Sequence, residues 1–199
     1  DLHSFPTRRS SDLLADVFFF PGSSAVVGER VYFVLFDALL GSEVWVSDGT
    51  PEGTHVVADL APGKASSLPL DLTPWGDHVV FSADDRQHGR ELWVSDGTAE
   101  GTRRIEIRAG NRGSDPQQFA VVGSSFVFAA DDGVQGLEPW SSDGTPEGTR
   151  LLADVEPGRE SSSPAEFVVA PSPEGEQLYF RAQRGGSGLE LWRIPFPRP

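Results

Sequence analysis

An eight-residue phrase recurs along the chain at nearly constant spacing, and it constrains the fold more than any other feature. It reads ELWVSDGT at residues 91–98, EVWVSDGT at 43–50 and EPWSSDGT at 138–145, and a shortened copy, ELW, occupies residues 190–192. Successive tryptophans of the phrase are therefore 48, 47 and 52 residues apart. A period of this size is typical of a repeat architecture.

The Ser-Asp-Gly-Thr part of the phrase links one unit to the next. Asp side chains bond their own backbone in turns and Gly tolerates positive φ, so this part predicts a self-closing turn; the alternative is a carboxylate-lined cation loop. The residues interpreted as the structural motif are Glu43, Trp45, Asp48, Gly49, Thr50, Glu91, Trp93, Asp96, Gly97, Thr98, Glu138, Trp140, Asp143, Gly144, Thr145, Glu190 and Trp192.

Each unit reads as four short strands. In the unit that follows Thr54, β-rich runs cover residues 55–60, 68–73, 78–83 and 91–95, separated by loops rich in Gly, Pro, Asp and Ser. No sustained helical period interrupts them. Four strands in a unit of about 40–50 residues predict an all-β fold, a β-propeller built from four-stranded blades. The units cover approximately residues 14–48, 49–96, 97–143 and 144–194.

The third run of each unit is the most regular. One of its positions is always Phe, and the residues on both faces are apolar, which predicts a sheet covered on both sides, as in stacked blades. These phenylalanines are Phe33, Phe81, Phe128 and Phe180. The first unit lacks most of its second strand, and the fourth has a longer loop at residues 171–177. Four blades fit a complete small propeller or part of a larger ring, and we favour the larger ring.

Residues 1–13 have no counterpart in any unit. Back-translated, they match a common short-read sequencing adapter, so we interpret them as an artefact outside the fold and the chain as a fragment of a longer protein. Native sequence then begins near Leu14. Residues 13–17 read LLADV, the same letters as residues 151–155, although Leu13 is fixed by the adapter-like codons.

The composition excludes some partners. The chain has 16 basic and 30 acidic residues, a net charge of −14. Nucleic acids and anionic membranes both require Lys and Arg to replace counterions, so neither is an expected partner. No apolar stretch is long enough to span a membrane. The absence of Cys excludes disulfides and thiolate metal sites.

The extended phrase, E-L-W-x-S-D-G-T-x-x-G-T followed by a short strand, Asp, Pro-Gly and Ser-Ser, resembles the ELWxxDGT repeat family. Residues 43–67, 91–102 and 138–162 carry the match, which extends over essentially everything after Leu14. Departures are Pro139 in place of Leu and Ile107 in place of the Asp. The resemblance implies tandem repeats in a large, exported or surface-located bacterial protein with no agreed catalytic activity, in contact with neighbouring repeats.

Two loops between the third and fourth strands carry paired acids, Asp84-Asp85 and Asp131-Asp132. Carboxylates on a flexible loop suit Ca²⁺, but the alternating D-x-D-x-D-G spacing of a strong calcium site is absent. The sequence therefore leaves a calcium site and a plain Asp/Gly hairpin turn open. No other cofactor is predicted.

No catalytic motif is recognisable. The recurring tryptophans are interpreted as packing between blades, and Trp75, outside the phrase, as a candidate exposed aromatic. We expect a non-catalytic propeller module that binds a protein or a glycan. The alternatives are a propeller-type hydrolase or lyase with an acidic axial site, and a structural spacer in a large repeat protein. We also expect the isolated chain to be marginally stable and to associate through its terminal blades.

Overall fold

A computed structural model describes residues 24–173 and 175–195. The adapter-like segment and residues 14–23 of the first unit lie outside these residues. Within this part of the chain, fifteen strands form four antiparallel sheets. Sheet 1 contains β1 (Ser24–Val27), β2 (Arg30–Asp37), β3 (Gly41–Ser47) and β4 (His55–Val56). Sheet 2 contains β5 (Leu70–Trp75), β6 (His78–Asp84), β7 (Arg90–Ser95) and β8 (Arg103–Ile105). Sheet 3 contains β9 (Gln117–Val122), β10 (Ser125–Asp131), β11 (Leu137–Ser142) and β12 (Arg150–Leu151). Sheet 4 contains β13 (Ala165–Ser172), β14 (Gly175–Gln183) and β15 (Leu189–Pro195).

The fold is a β-propeller arrangement, as predicted. Each recurrent Phe lies directly opposite the Trp of its own sheet: Phe33 faces Trp45, Phe81 faces Trp93, Phe128 faces Trp140 and Phe180 faces Trp192. The four tryptophans therefore occupy equivalent positions on successive sheets. None of the described residues belongs to a helix long and apolar enough to cross a membrane.

The boundaries of the sheets differ from those of the sequence units. The short strand that opens a unit hydrogen-bonds to the tryptophan strand of the preceding unit: Val56 pairs with Trp45, Arg104 with Trp93 and Leu151 with Trp140. Our assignment of this strand to the unit that follows it was wrong. The turn between the two strands returns the chain antiparallel, so the short strand completes the sheet it has just left.

Two smaller expectations concern the first and last sheets. The segment where a shortened second strand was expected lies partly outside the described residues, since β1 begins at Ser24. The long loop expected at residues 171–177 is instead mostly strand, because β13 and β14 extend into it.

Three apolar cores join consecutive sheets. One core packs sheet 1 against sheet 2 through Phe81, another packs sheet 2 against sheet 3 through Phe128, and a third packs sheet 3 against sheet 4 through Phe180. Val79 and Val80 are neighbours in β6 and point into different cores, so the central strand is covered on both faces. This explains why the third run of each unit is apolar throughout.

Candidate functional site

The Ser-Asp-Gly-Thr turns are closed by their own side chains. In the first turn, the backbone N–H and the hydroxyl of Thr50 both donate to Asp48 Oδ1, at 2.9 and 2.7 Å. The Thr50 hydroxyl accepts from Gly53 N–H, and Thr54 Oγ1 lies 2.7 Å from Ser47 Oγ. The same bonds recur in the second and third turns through Ser95, Asp96, Thr98, Gly101, Thr102, Ser142, Asp143, Thr145, Gly148 and Thr149. These are the bonds of a self-closing turn.

The Glu of the phrase makes a longer-range connection. Glu91 is fully buried and accepts hydrogen bonds from the Ser114 hydroxyl at 2.5 Å and from the backbone N–H groups of Ile107 and Arg108 at 3.0 and 3.3 Å. Ser114 is also buried, and its carbonyl accepts from Asp131 N–H at the end of β10. Glu91 therefore fixes the loop that carries the chain from sheet 2 into sheet 3.

The same arrangement, which we call the glutamate–serine clamp, occurs at all three junctions. Glu43 accepts from the Ser67 hydroxyl at 2.5 Å and Glu138 from the Ser162 hydroxyl at 2.7 Å, and all four side chains are fully buried. Backbone N–H groups of the connecting loop complete each clamp. The Ser lies 23 or 24 residues after its Glu. Sequence reasoning noted the serines of the first and third junctions but did not pair them with the glutamates; the nearly constant separation was the available signal.

A glycine two residues before each clamp Glu allows the loop to approach. Gly136 has φ of +71°, and a Cβ there would lie 2.3 Å from the carbonyl oxygen of Glu160. The corresponding distances are 2.1 Å at Gly41, to the Ala65 oxygen, and 2.5 Å at Gly89, to the Gly113 nitrogen. No side chain fits against backbone at such a distance, so Gly is required by both conformation and space.

The buried glutamates are poor candidates for catalytic acids. Burial raises the pKa of the Glu43, Glu91 and Glu138 carboxyls, while the bonds from serine and backbone act in the opposite direction. A raised pKa is typical of a general acid, but an acid must reach its substrate. These carboxyls have no solvent-accessible surface, and their oxygens are engaged by the clamp.

The clamp makes stability depend on pH in a defined direction. Because the folded-state pKa of each clamp Glu lies above the ordinary value of 4.5, the folded state binds more protons than the unfolded state just above that pH. The free energy of unfolding should therefore fall as pH rises from about 4.5 through the folded pKa. Hydrogen bonds from threonine lower the pKa of Asp48, Asp96 and Asp143, so stability should also fall as pH drops below the ordinary Asp value of 3.8.

Urea unfolding midpoints between pH 3 and pH 8 measure both effects. Glu91→Gln should make the decline above pH 4.5 shallower, because the neutral amide does not titrate. The matched control is Glu147→Gln, at an exposed position of the third turn. Equal declines in the two variants would contradict a raised pKa at Glu91.

The paired acids of the third-to-fourth strand loops form hairpin turns. Asp84 Oδ1 accepts from Arg86 N–H at 2.7 Å, and Asp131 Oδ1 accepts from Gly133 N–H at 2.6 Å. The second acid of each pair accepts two backbone N–H groups, those of Gln87 and His88 at Asp85 and those of Val134 and Gln135 at Asp132. Salt bridges complete the loops, including Arg108 Nη1 to Asp131 Oδ2 at 2.7 Å.

These contacts lead to a prediction about calcium. Within residues 24–173 and 175–195, no three His, Asp or Glu side chains are grouped so as to hold a metal ion. Because backbone and arginine groups occupy the loop carboxylates, we expect millimolar Ca²⁺ to leave the melting temperature unchanged. A rise with Ca²⁺, abolished when Asp84, Asp85, Asp131 and Asp132 are replaced by Asn, would instead establish calcium binding, because a ligand that binds only the folded state stabilises it.

Three of the four repeated tryptophans pack between sheets. Trp93, Trp140 and Trp192 each contribute to one of the three cores. The expectation that Trp75 is an exposed aromatic was wrong. Its ring meets Phe126 edge-on at 5.2 Å, its Nε1–H donates to the Ser124 carbonyl at 3.2 Å, and it packs against Gly144. Sequence position could not show this, because sheet 3 provides the contacts.

An open cleft of about 570 Å³ lies between the β1–β2 and β5–β6 hairpins. Its polar lining comprises Glu29, Arg30, Tyr32, Asp77 and Asp96. Arg30 donates to the Asp96 carbonyl at 3.5 Å, and Asp77 lies 2.5 Å from His78 Nδ1. Sequence reasoning missed this site. No local signal marked it, because Tyr32 has a counterpart in Tyr179 of the fourth unit and the cleft forms only where separate turns meet.

Comparison with known proteins supports the fold only. No protein-family model matches the chain, and no curated protein matches it. The structure of the AtxE2 isopeptidase without ligand matches with a TM-score of 0.51 and 13% identity, over 90% of this chain and 27% of the isopeptidase. A variant of that isopeptidase with astexin3-dC4 bound matches with a TM-score of 0.50 and 13% identity, over 81% of this chain and 25% of the other.

A puromycin hydrolase matches with a TM-score of 0.47 and 14% identity, over 86% of this chain and 29% of the hydrolase. The chain therefore spans about a quarter of the length of these enzymes. At 13% identity, the likeness to the isopeptidase concerns the path of the backbone and transfers no active-site residue.

Proposed function

We propose that this chain is a non-catalytic β-propeller repeat module that binds a protein or glycan partner, within an exported or surface-located bacterial protein. Its sequence resemblance to ELWxxDGT repeats supports the location and the setting among neighbouring repeats. The strongly acidic composition disfavours nucleic acid as the partner.

One observation carries the proposal. The carboxyls of the repeated phrase whose pKa is raised are those of Glu43, Glu91 and Glu138. They are completely buried, and each accepts a hydrogen bond from the serine of the next loop. The turn aspartates are likewise bonded within their own turns. The repeated acids therefore have structural roles at equivalent places, whereas an enzyme needs a single site with differentiated residues.

The partner site that the structure supports best is the cleft between sheets 1 and 2. It is open, and it combines the cation of Arg30 with the carboxylates of Glu29 and Asp77. Exposed charges of both signs on an open surface suit the hydroxyl-rich surface of a glycan or a polar protein segment.

A propeller-type hydrolase is the second candidate. The isopeptidase fold match and the carboxylates of Asp77 and Asp96 in one cleft favour it. In a hydrolase, one carboxyl acts as general acid and another as base or nucleophile, so both are needed for turnover.

Binding and turnover can be measured with the same variants. The labelled chain is applied to an array of glycans and purified bacterial surface proteins, and assayed with chromogenic amide and glycoside substrates. We expect saturable binding that falls at least about tenfold in Arg30→Ala and in Asp77→Asn, unchanged binding in the Glu147→Gln control, and no turnover. Turnover abolished by Asp77→Asn would establish the hydrolase and overturn the scaffold proposal.

A further inference from the structure

Sheet 4 has a free edge among the described residues. In the other three sheets, the tryptophan strand pairs on its second side with a short strand, as Trp140 of β11 does with Leu151 of β12. β15 pairs with β14, and no described strand pairs with its other side. A free edge presents unpaired N–H and C=O groups to a further strand.

The residues of sheet 4 that correspond to the clamp glutamate and its neighbours are present, but no described segment covers them. Glu190 is exposed, whereas Glu43, Glu91 and Glu138 have no accessible surface. A Cβ on Gly188 would meet nothing within 4 Å, unlike its three counterparts. Leu191 is 78% exposed, whereas Val44 and Leu92 at the same position are at most 1% exposed. The free edge of β15, the Glu190 carboxylate and the apolar Leu191 side chain are therefore all accessible to a further strand.

At the preceding junction, residues 151–156 cover the equivalent surface. Leu151 pairs with Trp140, and Leu152 N–H donates to the Pro139 carbonyl at 2.8 Å. The N–H groups of Val155 and Glu156 donate to Glu138 at 3.0 and 3.4 Å. Leu152, Ala153 and Val155 also enter the core between sheets 3 and 4. The sequence LLADV therefore covers this edge through backbone donors and apolar side chains.

We propose that the free edge of sheet 4 binds residues 14–17 (LADV), which repeat residues 152–155, of a second copy of this chain. The N–H groups of Val17 and Phe18 in the second copy would donate to Glu190, as those of Val155 and Glu156 donate to Glu138. Residue 17 precedes sheet 1, and within residues 24–173 and 175–195 no core joins sheet 4 to sheet 1. Because the edge belongs to sheet 4 and the binding segment precedes sheet 1, the copies would associate head to tail through two different surfaces.

The proposal rests on the proposed function only in treating the chain as a repeat module. Its test needs neither a binding partner nor a substrate, so its failure leaves the scaffold proposal intact. Two variants separate the surfaces: Glu190→Ala removes the acceptor, and the double variant Leu14→Pro with Val17→Pro removes two donor N–H groups. Neither changes a residue of the three described cores.

Sedimentation velocity over a range of chain concentrations is the measurement. The unmodified chain should self-associate, each variant should associate at least about tenfold more weakly, and an equimolar mixture of the two variants should form a one-to-one complex. The complex forms because each variant keeps the surface that the other has lost. Glu147→Ala is the control and should associate like the unmodified chain.

A synthetic peptide of residues 149–163 distinguishes the remaining outcomes. It should compete with self-association of the unmodified chain. The proposal is overturned if the unmodified chain is monomeric at all concentrations, or if association is insensitive to both variants. A third outcome also overturns it: the double proline variant binds the peptide, but the unmodified chain is monomeric and does not. In that case the chain's own N-terminal segment, and not that of a second copy, covers the edge of sheet 4.

Discussion

Truncation of Phe81 to Ala is expected to lower the free energy of unfolding by about 3–5 kcal/mol, the usual cost of removing a buried aromatic ring. Phe81 has no accessible surface and lies in the core between sheets 1 and 2, opposite Trp93. Its loss leaves a cavity that the two sheets cannot close without shifting relative to each other. Phe128→Ala should have a similar effect between sheets 2 and 3, where Phe128 is equally buried.

Urea unfolding followed by tryptophan fluorescence measures this effect. The matched control is Phe36→Ala, since Phe36 lies on a strand of sheet 1 but is 69% exposed. The control should change the free energy of unfolding by less than about 1 kcal/mol. Equal losses at Phe36 and Phe81 would contradict the placement of Phe81 between packed sheets.

Replacing Glu91 with Ala is expected to cost about 3 kcal/mol or more. The substitution leaves the buried Ser114 hydroxyl and the half-buried N–H groups of Ile107 and Arg108 without their acceptor, and each unsatisfied buried donor costs roughly 1–3 kcal/mol. Glu190 offers an internal control, because it holds the same place in the phrase but is exposed. Glu190→Ala should change the stability of the monomer by less than about 0.5 kcal/mol.

Calorimetric melting temperatures of the two variants provide the comparison, measured at a concentration where the chain is monomeric. We expect a large downward shift for Glu91→Ala and almost none for Glu190→Ala. A small shift at both positions would mean that the clamp contributes little. A large shift at both would mean that sheet 4 is covered in solution as the other sheets are.

The sequence was sufficient to predict those parts of the fold that depend on a local pattern of residues. Apolar residues on both faces of the strands around Phe33, Phe81 and Phe128 predicted strands covered on both sides, and the nearly constant tryptophan spacing predicted equivalent sheets. The chemistry of Ser-Asp-Gly-Thr predicted a self-closing turn, and the observed bonds of Thr50 with Asp48 have that form. All of these features depend on residues close together in the chain.

The features that sequence reasoning missed depend on contacts between distant residues. The short strand that follows each Ser-Asp-Gly-Thr turn could pair with either the preceding or the following sheet, and its amino-acid sequence does not distinguish these two pairings. Trp75 is covered by sheet 3. The clamp joins residues 23 or 24 positions apart, and the cleft combines two hairpins. Such relations follow from the stacking order of the sheets, which no single unit specifies.

The central claim is that the repeated Glu and the following Ser are structural partners that hold consecutive sheets together. A double-mutant cycle with Glu138→Ala and Ser162→Ala, measured by urea unfolding, tests it most directly. The account predicts a coupling free energy of about 1–3 kcal/mol, since the two side chains share a buried hydrogen bond of 2.7 Å. Effects that add to within about 0.5 kcal/mol would contradict it.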